Sequence, residues 1–189
     1  MKEEHKYNLR RILLIVTGFI FTVFVMEYSI KYMYPLKYEE YVNKYSQEFR
    51  VDKYLIYSII KAESGFDKDA VSKRYAKGLM QIADMTGEWG ASTLDIDIKS
   101  DRYLYEPKTN IRIGSWYIST LMKEFNDDID LVLAAYNGGS GNVNEWLKDK
   151  KYSYDGTKLD KIPFRETEKF IKKVKKFYCT YKYIYEKTK

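Results

Sequence analysis

Hydrophobic and polar positions divide the 189-residue chain into an apolar start, a mixed stretch and a long helically periodic remainder. Residues 12–26 read ILLIVTGFIFTVFVM, uncharged and interrupted only by Thr17, Gly18 and Thr22, between Arg10-Arg11 and Glu27. That run predicts a membrane helix. At about 1.5 Å per residue it covers about 22 Å, short of the roughly 30 Å hydrocarbon core. The helix is therefore expected to span residues 12–30, with Tyr28, Tyr32 and Tyr34 near the interface and Lys31 reaching out of it. A spacer with a helical second half follows over residues 31–50, broken at Pro35.

Residues 51–189 form the main domain in this reading. From Asp52, DKYLIYSIIKAESG places Leu55, Ile56, Ile59, Ile60 and Ala62 at helical spacing, with Asp52 as N-cap and Gly65 as the stop. A second helix is expected over 108–125, where Ile113, Tyr117, Leu121 and Phe125 recur and Asn110 suits the cap. A third, over 130–137 (DLVLAAYN), is stopped by Gly138-Gly139, and another begins near Asn142 and carries Trp146 and Leu147. The last, over 167–185, lines up Phe170, Val174, Phe177, Tyr181 and Ile184 as a core stripe. Strand-like alternation of any length is missing from the sequence, so the fold class is all-α, preceded by the transmembrane helix.

A cleaved signal peptide has the same basic start and apolar run, but Glu27, Tyr28, Ile30, Lys31 and Tyr32 replace the small residues that cleavage requires. An uncleaved anchor is the expectation. Lys2, Lys6, Arg10 and Arg11 would hold residues 1–11 in the cytoplasm, although Lys31 and Lys37 dilute the bias. The domain would then lie outside the cell membrane, facing the wall.

Composition narrows the chemistry further. The single histidine, His5, and the single cysteine, Cys179, exclude a Cys/His zinc cluster, a Ser-His-Asp triad and an internal disulfide. The residues predict neither a metal site nor a cofactor. A net charge of +6 points to polyanionic company. Gly138-Gly139-Ser140-Gly141 lacks the following Lys-Ser/Thr of a phosphate loop and reads as a helix stop. Lysines and tyrosines interleave over 169–187 as on some nucleic-acid surfaces, but export favours anionic wall polymers, the membrane or plain solvation, and no nucleic-acid partner is expected.

One carboxylate falls on the apolar side. Glu63 follows Ile60 by three positions and Ile56 by seven, so the helix that buries those two turns Glu63 inward as well. Partly desolvated at the negative end of a helix, its pKa should rise, as a general acid requires.

The blocks ESGFDKDAVS, AKGLMQI, LAAYNGG and IPFRETEKFIKKV stand in the order and approximate spacing of the lytic transglycosylase (SLT) domain, and the chain resembles that family, a relative of goose-type lysozyme, over residues 51–174. The resemblance implies a lysozyme-like helical domain acting on peptidoglycan glycan strands. It implies cleavage of the β-1,4 link between N-acetylmuramic acid and N-acetylglucosamine, leaving a 1,6-anhydro end. Glu63 matches the catalytic acid/base. Ser64, Ser72, Met80, Gln81, Tyr136, Asn137 and Glu166 match positions at the glycan: Met80 and Gln81 as cleft lining beside the acid, Tyr136 as a group that orients Glu63 or an N-acetyl, and Asn137 as a holder of the loop or a sugar. Phe170 stands where the family often has a tyrosine, and Ala83-Asp84 where a proline often follows the Gln block.

The residues are compatible with that chemistry. Ordinary glycosidases use two carboxylates, whereas here the resemblance supplies one. If the muramyl C6 hydroxyl attacks its own anomeric carbon, Glu63 can first protonate the leaving oxygen and then accept the C6 proton, and intramolecular attack has a high effective molarity. A lysozyme-type hydrolase is the alternative, with Asp67, Asp69, Asp84 or Glu88 as second carboxylate. A second alternative is a catalytically idle glycan-binding component of an envelope-spanning assembly. Trp89 and Trp116 are candidates to stack on sugars, with helix core the simpler role for Trp116.

Overall fold

The computed structural model describes residues 2–186; Met1 and residues 187–189, including the end of the basic 169–187 stretch, lie outside the described residues. The chain divides into two units, Met1–Lys37 and Tyr38–Lys189. The first is helix α1, Lys2–Met33. Its apolar side chains stand exposed, Leu14 at 73% and Phe19 at 69%, and among the described residues it is the one helix long and apolar enough to cross a membrane. The hydroxyls of Thr17, Thr22 and Ser29 donate to the carbonyls of Leu13, Phe19 and Val25, so the few polar groups of the apolar run are satisfied within the helix.

The second unit is helical: α2 Glu39–Phe49, α3 Lys53–Glu63, α4 Asp84–Thr93, α5 Pro107–Glu124, α6 Ile129–Gly138, α7 Ser140–Lys148 and α8 Arg165–Glu186, with a 3-10 turn at Tyr103–Tyr105 before α5. Among the described residues, extended pairing is limited to the bridges of Lys77 with Val71 and Ile82. Helix α3 is the centre, buried from Tyr54 to Ile60 and packed by α2 and α8. Asp52 caps it, accepting from Tyr54 N at 2.8 Å, and its other oxygen takes the Tyr178 hydroxyl of α8 at 2.7 Å.

Three expectations need correction. The compact unit begins at Tyr38 and not at Val51: Val42 and Tyr45 of α2 are 0% and 1% exposed, packed in the core beside α3 and α5. Asn110 does not cap α5, which starts at Pro107 after Glu106; it sits inside the helix, fully buried. Helix α4 forms where no helix was expected, over DMTGEWGAST, despite the low helix propensity of Gly87 and Gly90. Those glycines admit close packing. A Cβ on Gly87 would lie 2.6 Å from the Tyr103 hydroxyl, and one on Gly90 2.8 Å from Ile113 Cγ2.

Candidate active site

Glu63 closes α3, and the chain leaves it through Gly65 and Phe66, both with positive φ (60° and 72°). Phe66 is nevertheless buried, its ring 6.4 Å from that of Tyr57, so packing holds the turn that follows the acid. The carboxyl of Glu63 is half-buried. Burial lifts its pKa from 4.5 to about 7, against the pull of the Lys173 ammonium and with a further push from Glu166. A group with that proton affinity has both its acid and its base form accessible at neutral pH.

Beneath the acid lies the turn over residues 76–82, closed by the reciprocal bonds Lys77 N to Ile82 O (2.9 Å) and Ile82 N to Lys77 O (3.0 Å). Four successive carbonyls of this turn each accept a side-chain donor. Asn110 Nδ2 reaches Lys77 O at 2.9 Å, Gln81 Nε2 reaches Gly78 O at 2.9 Å, Ser64 Oγ reaches Leu79 O at 2.8 Å, and Tyr136 OH donates to Met80 O at 2.8 Å. Asn110 does more, accepting from Met80 N at 2.8 Å and donating to Leu104 O at 2.7 Å. Gly78 is required there: φ is +75°, and a Cβ would collide with the Leu104 carbonyl and the Asn110 side chain.

These bonds relocate several expected roles. The Met80 side chain does not line the cleft; it is fully buried against Gly114, and its peptide groups are what the turn uses. Gln81, itself at φ +50°, gives its amide to Ala70 O (3.0 Å) as well as Gly78 O. Ser64 also accepts from Phe66 N at 3.1 Å. Ser72 accepts from Arg74 N and Ala76 N at 3.2 and 3.0 Å, which shapes the loop leading into the turn. Asn137 Oδ1 accepts from Thr167 Oγ1 at 2.8 Å, tying the end of α6 to the start of α8. Glu166, next to that tie, is exposed and lies 3.6 Å from Arg74 of the loop, so α8 and the 67–77 segment flank Glu63. Asn110 is the organising residue that periodicity hid, because a polar side chain on a helix reads as a cap or a solvent position until its burial is known.

An aromatic series runs from the acid outward. Tyr136, whose phenol is pushed well above its usual pKa by burial and by the Glu63 carboxylate, stacks flat on Phe170 at 6.3 Å and 7°. Tyr117 lies 5.6 Å from Tyr136, and Trp89 lies 6.4 Å from Tyr117 and 4.7 Å from Trp116. Trp116 is 9% exposed and belongs to the core, whereas Trp89 presents half its surface to solvent. Of the other carboxylates considered, Asp67, Asp69, Asp84 and Glu88 are exposed, with Asp69 paired to Lys68 and Asp84 to Lys77. Among the described residues, the carboxylate whose field reaches Glu63 is Glu166. A separate groove of about 690 Å³, lined by Asp130, Lys161, Glu168 and Lys175, contains none of these residues.

Residues 40–158 match the family described as the Transglycosylase SLT domain. The soluble lytic murein transglycosylase of Salmonella typhimurium is 30% identical over 152 residues, which cover 79% of this chain and 24% of that protein. A membrane-bound lytic murein transglycosylase C from Sodalis glossinidius is 36% identical, over 57% of this chain and 32% of its own. Among solved structures, an inactive glutamate-to-glutamine mutant of lytic transglycosylase Slt from Pseudomonas aeruginosa superposes with a TM-score of 0.71 at 28% identity, covering 82% of this chain and 25% of that one. A complex of the 70 kDa soluble lytic transglycosylase with bulgecin A gives 0.72 at 27% identity, with the same coverages. The chain thus spans about a quarter of the length of the first of these relatives.

Proposed function

The chain belongs to the transglycosylase SLT family, and from that membership and the state of Glu63 we propose that it is a peptidoglycan lytic transglycosylase held at the cell membrane by α1. The observation that carries the proposal is one half-buried carboxyl with a pKa near 7 beside a turn whose carbonyls from Lys77 to Met80 are each bonded by a side chain. In the first step Glu63 gives its proton to the glycosidic oxygen between N-acetylmuramic acid and N-acetylglucosamine. That bond breaks, and positive charge develops at the muramyl anomeric carbon. In the second step the muramyl C6 hydroxyl attacks that carbon and the Glu63 carboxylate takes its proton, which closes the 1,6-anhydro ring and restores the acid. Water is not consumed, and one carboxyl serves both steps.

The remaining residues support these steps in two ways. Ser64, Gln81, Asn110 and Tyr136 hold the turn beneath the acid by hydrogen bonds, while Trp89 offers an exposed ring at the end of the aromatic series for stacking on sugars. Ser72, Asn137 and Glu166 border the glycan in this reading, at the loop and at the junction of α6 with α8. The apolar run of α1 and the basic residues that precede that run within the helix, Lys2, Lys6, Arg10 and Arg11, support a single membrane pass with residues 1–11 in the cytoplasm and the domain facing the wall.

The test is mass spectrometry of the fragments released from purified peptidoglycan sacculi by the detergent-solubilised chain. Anhydro-muramyl ends are expected, and Glu63→Gln should release none while keeping its far-UV circular dichroism. Reducing muramic acid ends would make the enzyme a hydrolase. Sacculi bound but left intact by the folded parent would make it a glycan-binding component.

A further inference from the structure

Helix α8 carries two opposite charges, Glu166 and Lys173, that both act on Glu63. Seven residues close almost two helical turns, so these side chains share a face and stand about 10 Å apart along the axis. Lys173 is moored. Its Nζ donates at 2.6 Å to the carbonyl of Ala62, one residue before the acid, in the last turn of α3, where carbonyls lack intrahelical donors. Its ammonium also lies over the Phe177 ring, 6.0 Å from the centroid. Lys61 approaches the same ring at 5.1 Å, its amine held below the usual lysine value by burial and by Lys173. The charged and titratable groups that act on Glu63 are therefore Lys173 and Glu166 from α8, with Tyr136 of α6 in its field, whereas Lys61 is coupled to Lys173.

We propose that Lys173 is a positioning residue for the reaction: fixed on the carbonyl of Ala62, the neighbour of the acid, it keeps a cation at Glu63 through both steps. The inference rests on Glu63 acting first as acid and then as base. A lone carboxyl that must release a proton and later retrieve it works best when its two forms are close in free energy. Burial by itself favours the neutral form and makes release costly. Lys173 stabilises the carboxylate left after the leaving oxygen has been protonated, and Glu166 acts in the opposite sense.

The experiment separates charge from mooring. Lys173→Gln removes the cation but retains an amide donor for the Ala62 carbonyl, whereas Lys173→Arg retains the cation. In the full chain labelled with 13C at glutamate Cδ, the Glu63 resonance is the one missing from Glu63→Gln, and its titration midpoint is read without substrate. Lys173→Gln should raise that midpoint by roughly half to one pH unit, the low end for removal of an adjacent opposite charge at a partly exposed site. Lys173→Arg should leave it near the parent, and Glu166→Gln should lower it. The alkaline limb of kcat/KM on sacculi should move with the midpoint. A midpoint unmoved by Lys173→Gln, or moved equally by Lys173→Arg, overturns the proposal. Because the midpoint needs no turnover, a chain that fails to cut sacculi but shows these shifts counts against the enzymatic reading and leaves the electrostatic one standing.

Discussion

Replacing Glu63 by glutamine should make the folded protein more stable above neutrality, by an amount that follows from its environment. In the fold the carboxyl titrates near 7, and in the unfolded chain it returns to an ordinary value near 4.5. Between those values the native state holds a proton that the unfolded state has lost, so stability falls as pH rises through that window. Below about 4.5 both states are protonated and the penalty is absent; above about 7 it is complete. At 1.36 kcal/mol per pH unit, holding the ionised side chain in place costs the fold about 3 kcal/mol. Glutamine approximates the shape of the protonated acid and cannot ionise. Urea unfolding of parent and variant, followed by tryptophan fluorescence from about pH 4 to about pH 8, should give equal stabilities at the acid end and a gap in favour of the variant that grows to about 3 kcal/mol. Titrating groups that do not interact with Glu63 are common to both chains and cancel in the difference. A gap that does not change with pH refutes the reasoning, and a parent that gains on the variant as pH rises reverses it, since Lys173 would then outweigh burial.

Asn110→Ala leaves Met80 N and Leu104 O without their bonds in a fully buried site, while Lys77 O keeps the one from Ile82 N at 3.0 Å. A loss of roughly 2–4 kcal/mol is expected from the urea midpoint, and a loss below about 1 kcal/mol would mean the turn stands without Asn110. A chain begun at Val51 lacks α2, so it exposes the surfaces of α3 and α5 that Val42 and Tyr45 cover. It should unfold at distinctly lower urea than one begun at Tyr38, and equal midpoints would put α2 outside the folding unit.

Legibility in the sequence followed the physics of each element. Helices with an apolar stripe were readable, α3 together with its Asp52 cap, whereas the cap of α6, Asp128 accepting from Leu131 N at 3.0 Å, stands two residues before the start that the stripe predicts. The inward turn of Glu63 was readable because three- and four-residue spacing fixes a face. Helix α4 was hidden, since Gly87 and Gly90 lower its propensity and serve contacts with Tyr103, Ile113 and Trp116 that only the folded chain contains. The place of α2 was hidden in the same way. Its sequence is rich in Tyr, Lys and Glu, and nothing local says that Val42 and Tyr45 lose all solvent.

The motif residues around the acid divide into those whose chemistry is in the side chain and those whose chemistry is in the turn they hold. Ser64, Gln81 and Tyr136 look like sugar ligands in a sequence, because each has a polar end and stands close to a family block. In the fold their donors go to Leu79 O, Gly78 O and Met80 O. An irregular turn pressed under a half-buried carboxyl would otherwise leave peptide carbonyls without partners, at about 1–3 kcal/mol each. Unsatisfied carbonyls there would also add negative potential next to Glu63 and raise its proton affinity further. With those carbonyls bonded, burial, Lys173 and Glu166 leave the acid near 7, where one group can serve as donor and acceptor in turn. Ser64, Gln81 and Tyr136 thus act first on the backbone, and substitutions among them should move the titration midpoint of Glu63 before they change the affinity for glycan.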